Sequence, residues 1–489
     1  MEYIGTRDNT ITATASQAIL KGICSDGGLF IPKEIPQMEK SLSELVNLDY
    51  KELAYEVLKL YLTDFTEQEL KYCIENAYDS KFDTSEIVPL VKKGDAFFLE
   101  LFHGKTLAFK DMALSILPYF MKIAAKKNQI DKEIVILTAT SGDTGKAALE
   151  GFAEVEGTKI IVFFPEDGVS PVQKLQMTTQ EGKNTCVVGI KGNFDDAQSA
   201  VKSIFTDKEL SKTLEQKGYL FSSANSINIG RLVPQIVYYY YAYTQAVKQG
   251  EIVVGDELNF TVPTGNFGDI LAGYYAKCMG LPVQHFVCAS NDNKVLYDFF
   301  ETGVYNKNRA FHVTISPSMD ILISSNLERF LCHKMGQQKT KECMTKLQQE
   351  GNYQIDIQES EISGEYATEQ ETYQSIQKVY EQTSYIMDTH TAVAYAAYQK
   401  YKEQTKDNTP MVIVSTASPY KFTKDVMTAL DKKNQKEDAF ALMKELEKLS
   451  GVEIPASICG IETRKILHNN VCEKQDIKHF LKTYFLERK

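Results

Sequence analysis

No window of the sequence reaches the roughly 18 uninterrupted apolar residues that a membrane helix needs, so no membrane partner is expected. The nine cysteines are odd in number, scattered, and never form a C-x-x-C pair. That pattern excludes a disulfide framework and a zinc site, and fits reduced thiols in a cytoplasmic protein. The seven histidines show no H-E-x-x-H and no comparable spacing, so no metal is expected. A basic stripe is also lacking, and the net charge of −11 argues against a nucleic-acid partner. The first residues, MEYIGTRDNTITATAS, have no charged segment followed by an apolar one, so no signal peptide is read. Neither a low-complexity tract nor a solenoid-type repeat is visible.

What is present is an ordinary globular composition, 43% hydrophobic and 24% charged, over 489 residues, which calls for two or three lobes rather than one core. Residues 1–95 read as an N-terminal lobe, with a turn at Ser25-DGG and helical periodicity from Tyr50 and from Thr66. Thr66 and Glu69 have capping-box spacing. After Pro89, strands alternate with helices. Ala96-FFLELF, Glu133-IVILTAT, Lys159-IIVFF, Thr185-CVVGI, Leu258-NFTV, Pro282-VQHFVCAS and Met411-VIVST read as strands, and Lys110 to Lys127 as one amphipathic helix containing Pro118. The fold class expected is α/β, with open, mainly parallel sheets flanked by helices and an N-terminal lobe added. A smaller α/β domain is expected over 96–220, with strands free to exchange between lobes, and a larger one over 221–489. The larger one holds a helical insertion at about 330–375, and the charged tail from Lys433 reads as terminal decoration.

In open α/β sheets, ligands bind beyond the carboxyl ends of strands. Five stretches of the chain have unusual composition. Lys110 follows an apolar run in LFHGKTLAFKDMAL; partial desolvation would favour the free amine that a Schiff base needs, although a lysine snorkelling from a buried helix is the ordinary alternative. Thr138-ATSGDTG offers hydroxyls and amides at a helix start, suited to a carboxylate or phosphate or simply to capping. Pro263-TGNFGD lacks both the G-x-G-x-x-G spacing and a Walker lysine, which leaves a monophosphate as its simplest guest. Gly192-NFDD imitates it but lacks the second glycine. Ser415-TASPYKF follows an apolar strand, and Thr416 can exchange one hydrogen bond into a site there. Phe221-SSANSINIGRLVPQ adds Asn225, Asn228 and Arg231 near a helix start, a set suited to a second anion. Tyr238 to Tyr241 with Tyr243 reads as helix packing or a subunit contact. A Schiff-base lysine, a monophosphate cradle and hydroxyl-rich loops together suggest pyridoxal 5'-phosphate.

In this order, HGKTLAFKD, TATSGDTG, NSINIGRL, PTGNFGDILAG and STASPYKF, with SDGGLFIP near residue 30, resemble the threonine synthase family of fold-type-II pyridoxal-phosphate enzymes over about residues 1–430. The resemblance implies Lys110 as the Schiff-base lysine and the catalytic base. It implies cofactor-phosphate contacts from Gly265, Asn266, Phe267 and Gly268, with Asp269 at the end of that loop. It sets Thr416, with Ser415 as the less favoured neighbour, on the ring nitrogen. Ser141, Asp143 and Thr144 are set on the substrate carboxylate and the cofactor's 3′-oxygen, and Arg231, Asn228 and Asn225 on the substrate phosphate. Lys105 stands where some relatives carry proline, and Asp143 where several carry asparagine. The implied reaction converts O-phospho-L-homoserine and water to L-threonine and phosphate, in a monomer or homodimer. The alternatives are a threonine-synthase-like phospholyase, a hydroxy-amino-acid dehydratase and a ligand-binding pseudoenzyme.

Overall fold

The most apolar runs of the sequence become the buried middles of two open sheets. The computed structural model describes residues 1–140, 142–166, 169–192, 194–357, 360–430 and 438–487. The larger sheet has the order Ile362–Tyr366, Val283–Ser290, Leu258–Pro263, Met411–Ser415, Ala96–Glu100, Leu90–Lys93. All neighbours are parallel except the last pair. Leu258–Pro263 and Met411–Ser415 are buried at every position, as strands covered on both faces must be. The smaller sheet is wholly parallel, in the order Asn470–Glu473, Thr185–Lys191, Thr158–Pro165, Glu133–Ala139, Tyr219–Ser222.

The N-terminal region adds a three-stranded antiparallel sheet of Thr12–Ala13, Tyr3–Gly5 and Phe30–Pro32, and helices that include Tyr50–Tyr61 and Glu67–Ala77. The Thr66–Glu69 capping box forms as read: the Thr66 amide donates to the Glu69 carboxylate at 2.8 Å, and the Glu69 amide to the Thr66 hydroxyl at 3.2 Å. Helix Ile229–Lys248 runs through the core, and its tyrosines, Tyr238 to Tyr241 and Tyr243, are packing residues. Among the described residues no helix is long and apolar enough to cross a membrane, no group of three or more His, Cys, Asp or Glu is placed to hold a metal, and the nine cysteines are free.

The strand pairings redraw the expected boundaries. Ala96–Glu100, read as the start of the smaller domain, pairs in parallel with Met411–Ser415 in the larger sheet and brings Leu90–Lys93 with it. The first four of its five residues are buried, which suits an interior strand of the larger sheet. The smaller sheet has no strand before Glu133. The tail is not decoration, since Asn470–Glu473 extends the smaller sheet and Ile477, Leu481 and Phe485 enter its core. Residues 330–375 are not all helical: the helix Leu327–Gln349 breaks at Gly336, and Ile362–Tyr366 is the edge strand of the larger sheet. Its sequence, ISGEY, has too few apolar residues to announce a strand. Finally, Lys110 to Lys127 is two helices, Lys110–Leu114 and Leu117–Lys127. Pro118 sits in the first turn of the second, where its missing N–H costs nothing.

Candidate active site

The lysine loop is built around Asp111. Thr106 donates both its amide, at 2.8 Å, and its hydroxyl to that carboxylate. A methyl at Gly104 would run into the same carboxylate, so the turn needs glycine. Burial pushes the Asp111 carboxyl up to about 6, against the pull of these donors. The loop is fastened to the 415–418 segment by an antiparallel bridge from Ala108 to Ala417 and by the Phe109 amide on the Thr416 carbonyl at 2.8 Å.

Lys110 emerges from this loop with 9% of its surface exposed. Its Nζ lies 3.2 Å from Ser318 Oγ and 3.5 Å from Asp143 Oδ2. Burial lowers its proton affinity, Asp143 opposes that, and the charges of Lys421 and Arg231 reinforce it. Asp143 is the first residue of helix Asp143–Phe152. Its Oδ1 accepts from Lys421 Nζ at 2.9 Å and from Gln173 Nε2 at 3.0 Å, and its Oδ2 accepts from Ser318 Oγ at 3.1 Å. Burial works against this charge, yet Lys421 and then Lys110 hold the carboxyl well below the usual range. Lys421 is itself almost fully covered and also donates to the Thr106 carbonyl at 2.7 Å. The Ser318 amide donates to His390 Nε2 at 3.2 Å, so the ring proton sits on Nδ1, which is 2.7 Å from Asp388 Oδ2.

The Pro263-TGNFGD loop has its carbonyls tied and its amides free. The Gly265 carbonyl accepts from Ser324 Oγ at 2.6 Å, and the Asn266 carbonyl from the Asn326 amide at 3.0 Å and its Nδ2 at 3.1 Å. The amides of Gly265, Asn266, Phe267 and Gly268 donate to no acceptor among the described residues. A Cβ at Gly265 would stand 2.7 Å from the Ser318 carbonyl. Phe267 holds a left-handed φ of +63°, kept there by its buried ring against Phe300 and Phe330. Four free amides at the start of helix Gly268–Cys278 form an anion cradle.

The other expected residues fall into two groups. Thr416 is buried, and its hydroxyl has no partner among the described residues. Arg231 spends Nη1 on the Ala224 carbonyl at 3.0 Å, while its Nε is buried and unpartnered. Burial brings it down to about 10, and its charge reaches Lys110. Thr144 is half-buried one residue after Asp143. Asn228, by contrast, is the cap of helix Ile229–Lys248, with Oδ1 accepting from the Gly230 amide and Nδ2 donating to the Ile19 and Ser223 carbonyls. Asn225 is exposed, and Asp269 turns into the core, where Oδ1 accepts from Tyr238 and Tyr239 at 2.6 and 2.7 Å. Ser415 is buried in its strand beside Tyr385. Ser141 lies outside the described residues.

Sequence reasoning missed Ser318, Gln173, His390 and the role of Lys421. It also missed Asn326 and Arg329 behind the cradle. Buried Arg329 donates to Asn326 Oδ1 and, at 2.9 Å, to the Phe30 carbonyl, which joins the SDGGLFIP segment to the loop. Lys421 stands inside the quoted STASPYKF, so its letter was in view without its contact.

Comparison with known proteins agrees along the chain. Family models match for the threonine synthase N terminus over residues 2–78, for pyridoxal-phosphate dependent enzymes over 91–417, and for the threonine synthase C-terminal region over 391–461. Threonine synthase of Schizosaccharomyces pombe is 38% identical over 468 residues, covering 88% of this chain and 89% of that protein. Threonine synthase-like 1 of Homo sapiens is 40% identical over 435 residues, covering 85% of this chain; the chain spans only 58% of that longer relative. Among solved structures, pyridoxal-phosphate-bound threonine synthase from Brucella melitensis superposes with a TM-score of 0.88 at 35% identity, covering 99% of this chain and all of that one. Threonine synthase from yeast gives 0.88 at 32% identity, covering 100% and 99%.

Proposed function

The chain belongs to the threonine synthase family of pyridoxal-phosphate-dependent enzymes, and from that premise we propose that it converts O-phospho-L-homoserine and water to L-threonine and phosphate. The observation that carries the reading is the Lys110 amine, buried and depressed in proton affinity beside Asp143 and Ser318. The residues fit the cofactor. The amides of Gly265 to Gly268, free among the described residues, suit its phosphate, the buried Thr416 hydroxyl suits its ring nitrogen, and Lys110 suits its aldehyde. When bound, pyridoxal phosphate supplies a carbonyl that links to amines and a conjugated ring that takes up negative charge from a substrate carbon.

Around that group, Lys110 Nζ is the base that removes the proton from substrate Cα and later handles the proton at Cβ. Asp143, pinned by Lys421, stabilises the ammonium that Lys110 becomes while it holds the proton. A neutral hydroxyl at Thr416 would hold a bound ring nitrogen without adding negative charge, unlike a carboxylate at that place. Thr144, in the first turn of helix Asp143–Phe152, and Ser141, three residues before it in the sequence, are assigned to the substrate carboxylate. The spare Nε of Arg231 is assigned to the substrate phosphate. Nine free cysteines support a reducing compartment, and we place the protein in the cytoplasm as a monomer or homodimer.

The test is release of phosphate and threonine from O-phospho-L-homoserine, with phosphoserine as comparison. Lys110→Ala should abolish turnover; normal turnover in that variant would sink the assignment. Phosphate without threonine would point to a phospholyase, and neither product to a pseudoenzyme.

A further inference from the structure

The proposed reaction gives Ser318 no task, yet its hydroxyl is the nearer of the two acceptors that meet the Lys110 amine, at 3.2 Å against 3.5 Å for Asp143. Ser318 belongs to the long segment between strand Val304–Asn306 and helix Leu327–Gln349. That segment is held from several sides. The Ser318 amide donates to His390, whose ring is fixed by Asp388, and the Ser318 carbonyl lies against Gly265 with no room for a Cβ between them. Two residues on, Asp320 accepts from Asn291 at 2.8 Å, from Asn293 at 3.0 Å, and from the Thr314 amide and hydroxyl at 2.9 and 2.7 Å. Ser318 itself is only half-buried. A turn at the surface needs no such support; a hydroxyl that must keep one place does.

We propose that Ser318 is a positioning residue for the catalytic amine, holding the lone pair of Lys110 in the direction open to a reacting carbon. The proposal rests on Lys110 being the base. The Ser318 hydroxyl gives its own proton to Asp143 Oδ2, at 3.1 Å, so only its lone pairs are left for Lys110. The Asp143 carboxylate, kept ionised by Lys421, is likewise an acceptor and nothing else. A neutral amine carries two N–H bonds and one lone pair in a tetrahedral array. With an acceptor on each N–H, the lone pair takes the position that neither acceptor faces. Among the described residues Lys110 Nζ has no third acceptor. Without Ser318, one N–H is released and the amine can turn about its Cε–Nζ bond among three staggered positions. The base is then present but unaimed.

The test reads the amine without any substrate. The full chain, stripped of cofactor, is mixed with saturating pyridoxal phosphate. The rise of visible absorbance gives the first-order rate at which the Lys110 amine condenses with the aldehyde and releases water. That rate is followed to high pH, where the amine is free in every variant and only its direction differs. Ser318→Ala should lower the high-pH plateau about tenfold or more, and Ser318→Thr, which keeps a hydroxyl, should stay within about threefold of wild type. In the holoenzyme, Ser318→Ala should lower kcat for O-phospho-L-homoserine by a similar factor with KM little changed. A plateau at the wild-type level in Ser318→Ala overturns the proposal, because Ser318 would then act only on the charge of Lys110 through Asp143. Equal slowing in the two variants also overturns it, because the loss would not follow the hydroxyl. Failure of the assigned reaction has a different signature, normal condensation in the wild type without release of threonine.

Discussion

At the scale of single residues, Lys421 governs the charge balance around Lys110. Its ammonium and the Asp143 carboxylate are both nearly inaccessible and 2.9 Å apart. Removing one partner of such a pair costs far more than removing both. Lys421→Met is expected to destabilise the protein by about 3–5 kcal/mol in urea unfolding, and Lys421→Met with Asp143→Asn by clearly less than the sum of the single changes. The pH profile gives a second readout. Lys421 lowers the proton affinity of Lys110 and Asp143 raises it. The acid limb of activity should therefore move to higher pH in Lys421→Met and to lower pH in Asp143→Asn. Asp269 makes a separate test. Burial raises it to about 6, with one oxygen unpartnered. A carboxyl raised in the folded state contributes stability below its unfolded value of about 4 and loses it as pH rises through the folded value. Wild type should lose stability relative to Asp269→Asn between about pH 4 and 6, and the gap should stay level above that.

At the scale of elements, the anion cradle depends on a segment that is not in the loop. Asn326 closes the Asn266 carbonyl and receives Arg329, which carries the connection on to Phe30. Asn326→Ala should cost about 1–3 kcal/mol, because buried partners lose their bonds, and should make the cofactor dissociate faster during dialysis. A variant that keeps its cofactor as wild type does would show the cradle to be self-supporting. The cradle itself was legible, because glycines after an apolar strand and before a helix have few other uses. Its support was not. SSNLER reads as a polar surface stretch, and the Arg329 to Phe30 contact joins residues 299 apart in the chain. Asn228 shows the converse limit: an amide near a helix start suggested a ligand, and its oxygen and nitrogen are both spent on the cap. Composition names the donors available and leaves open which of them the backbone has already taken.

At the scale of the whole molecule, alternating strands and helices predicted the architecture but not the membership of its sheets. An apolar run such as Ala96-FFLE announces a buried strand without naming its neighbour, because parallel pairing leaves no local mark. The tail was misread because its core residues are thinly spread through charged stretches: Leu442, Met443, Leu446 and Ile458 pack beside the larger sheet, and past Arg464 the buried contribution is Ile477, Leu481 and Phe485. Ending the chain after Arg464 removes them together with the strand Asn470–Glu473. Losing three buried large apolar groups costs roughly 5 kcal/mol or more, so the truncated protein should unfold at lower temperature and its smaller sheet should lose amide protection first. The larger sheet has a consequence for biosynthesis. Ala96–Glu100 leaves the ribosome about 310 residues before Met411–Ser415, the strand that covers its open side. At a translation rate of about 5–20 residues per second, that delay is about 15–60 s. Throughout it, the hairpin of Leu90–Lys93 and Ala96–Glu100 presents a bare edge flanked by Phe97, Phe98 and Leu99. The nascent chain thus holds an adhesive β-edge for most of its synthesis, and its yield in a cell will depend on how well holding chaperones shield that edge until the late strand arrives.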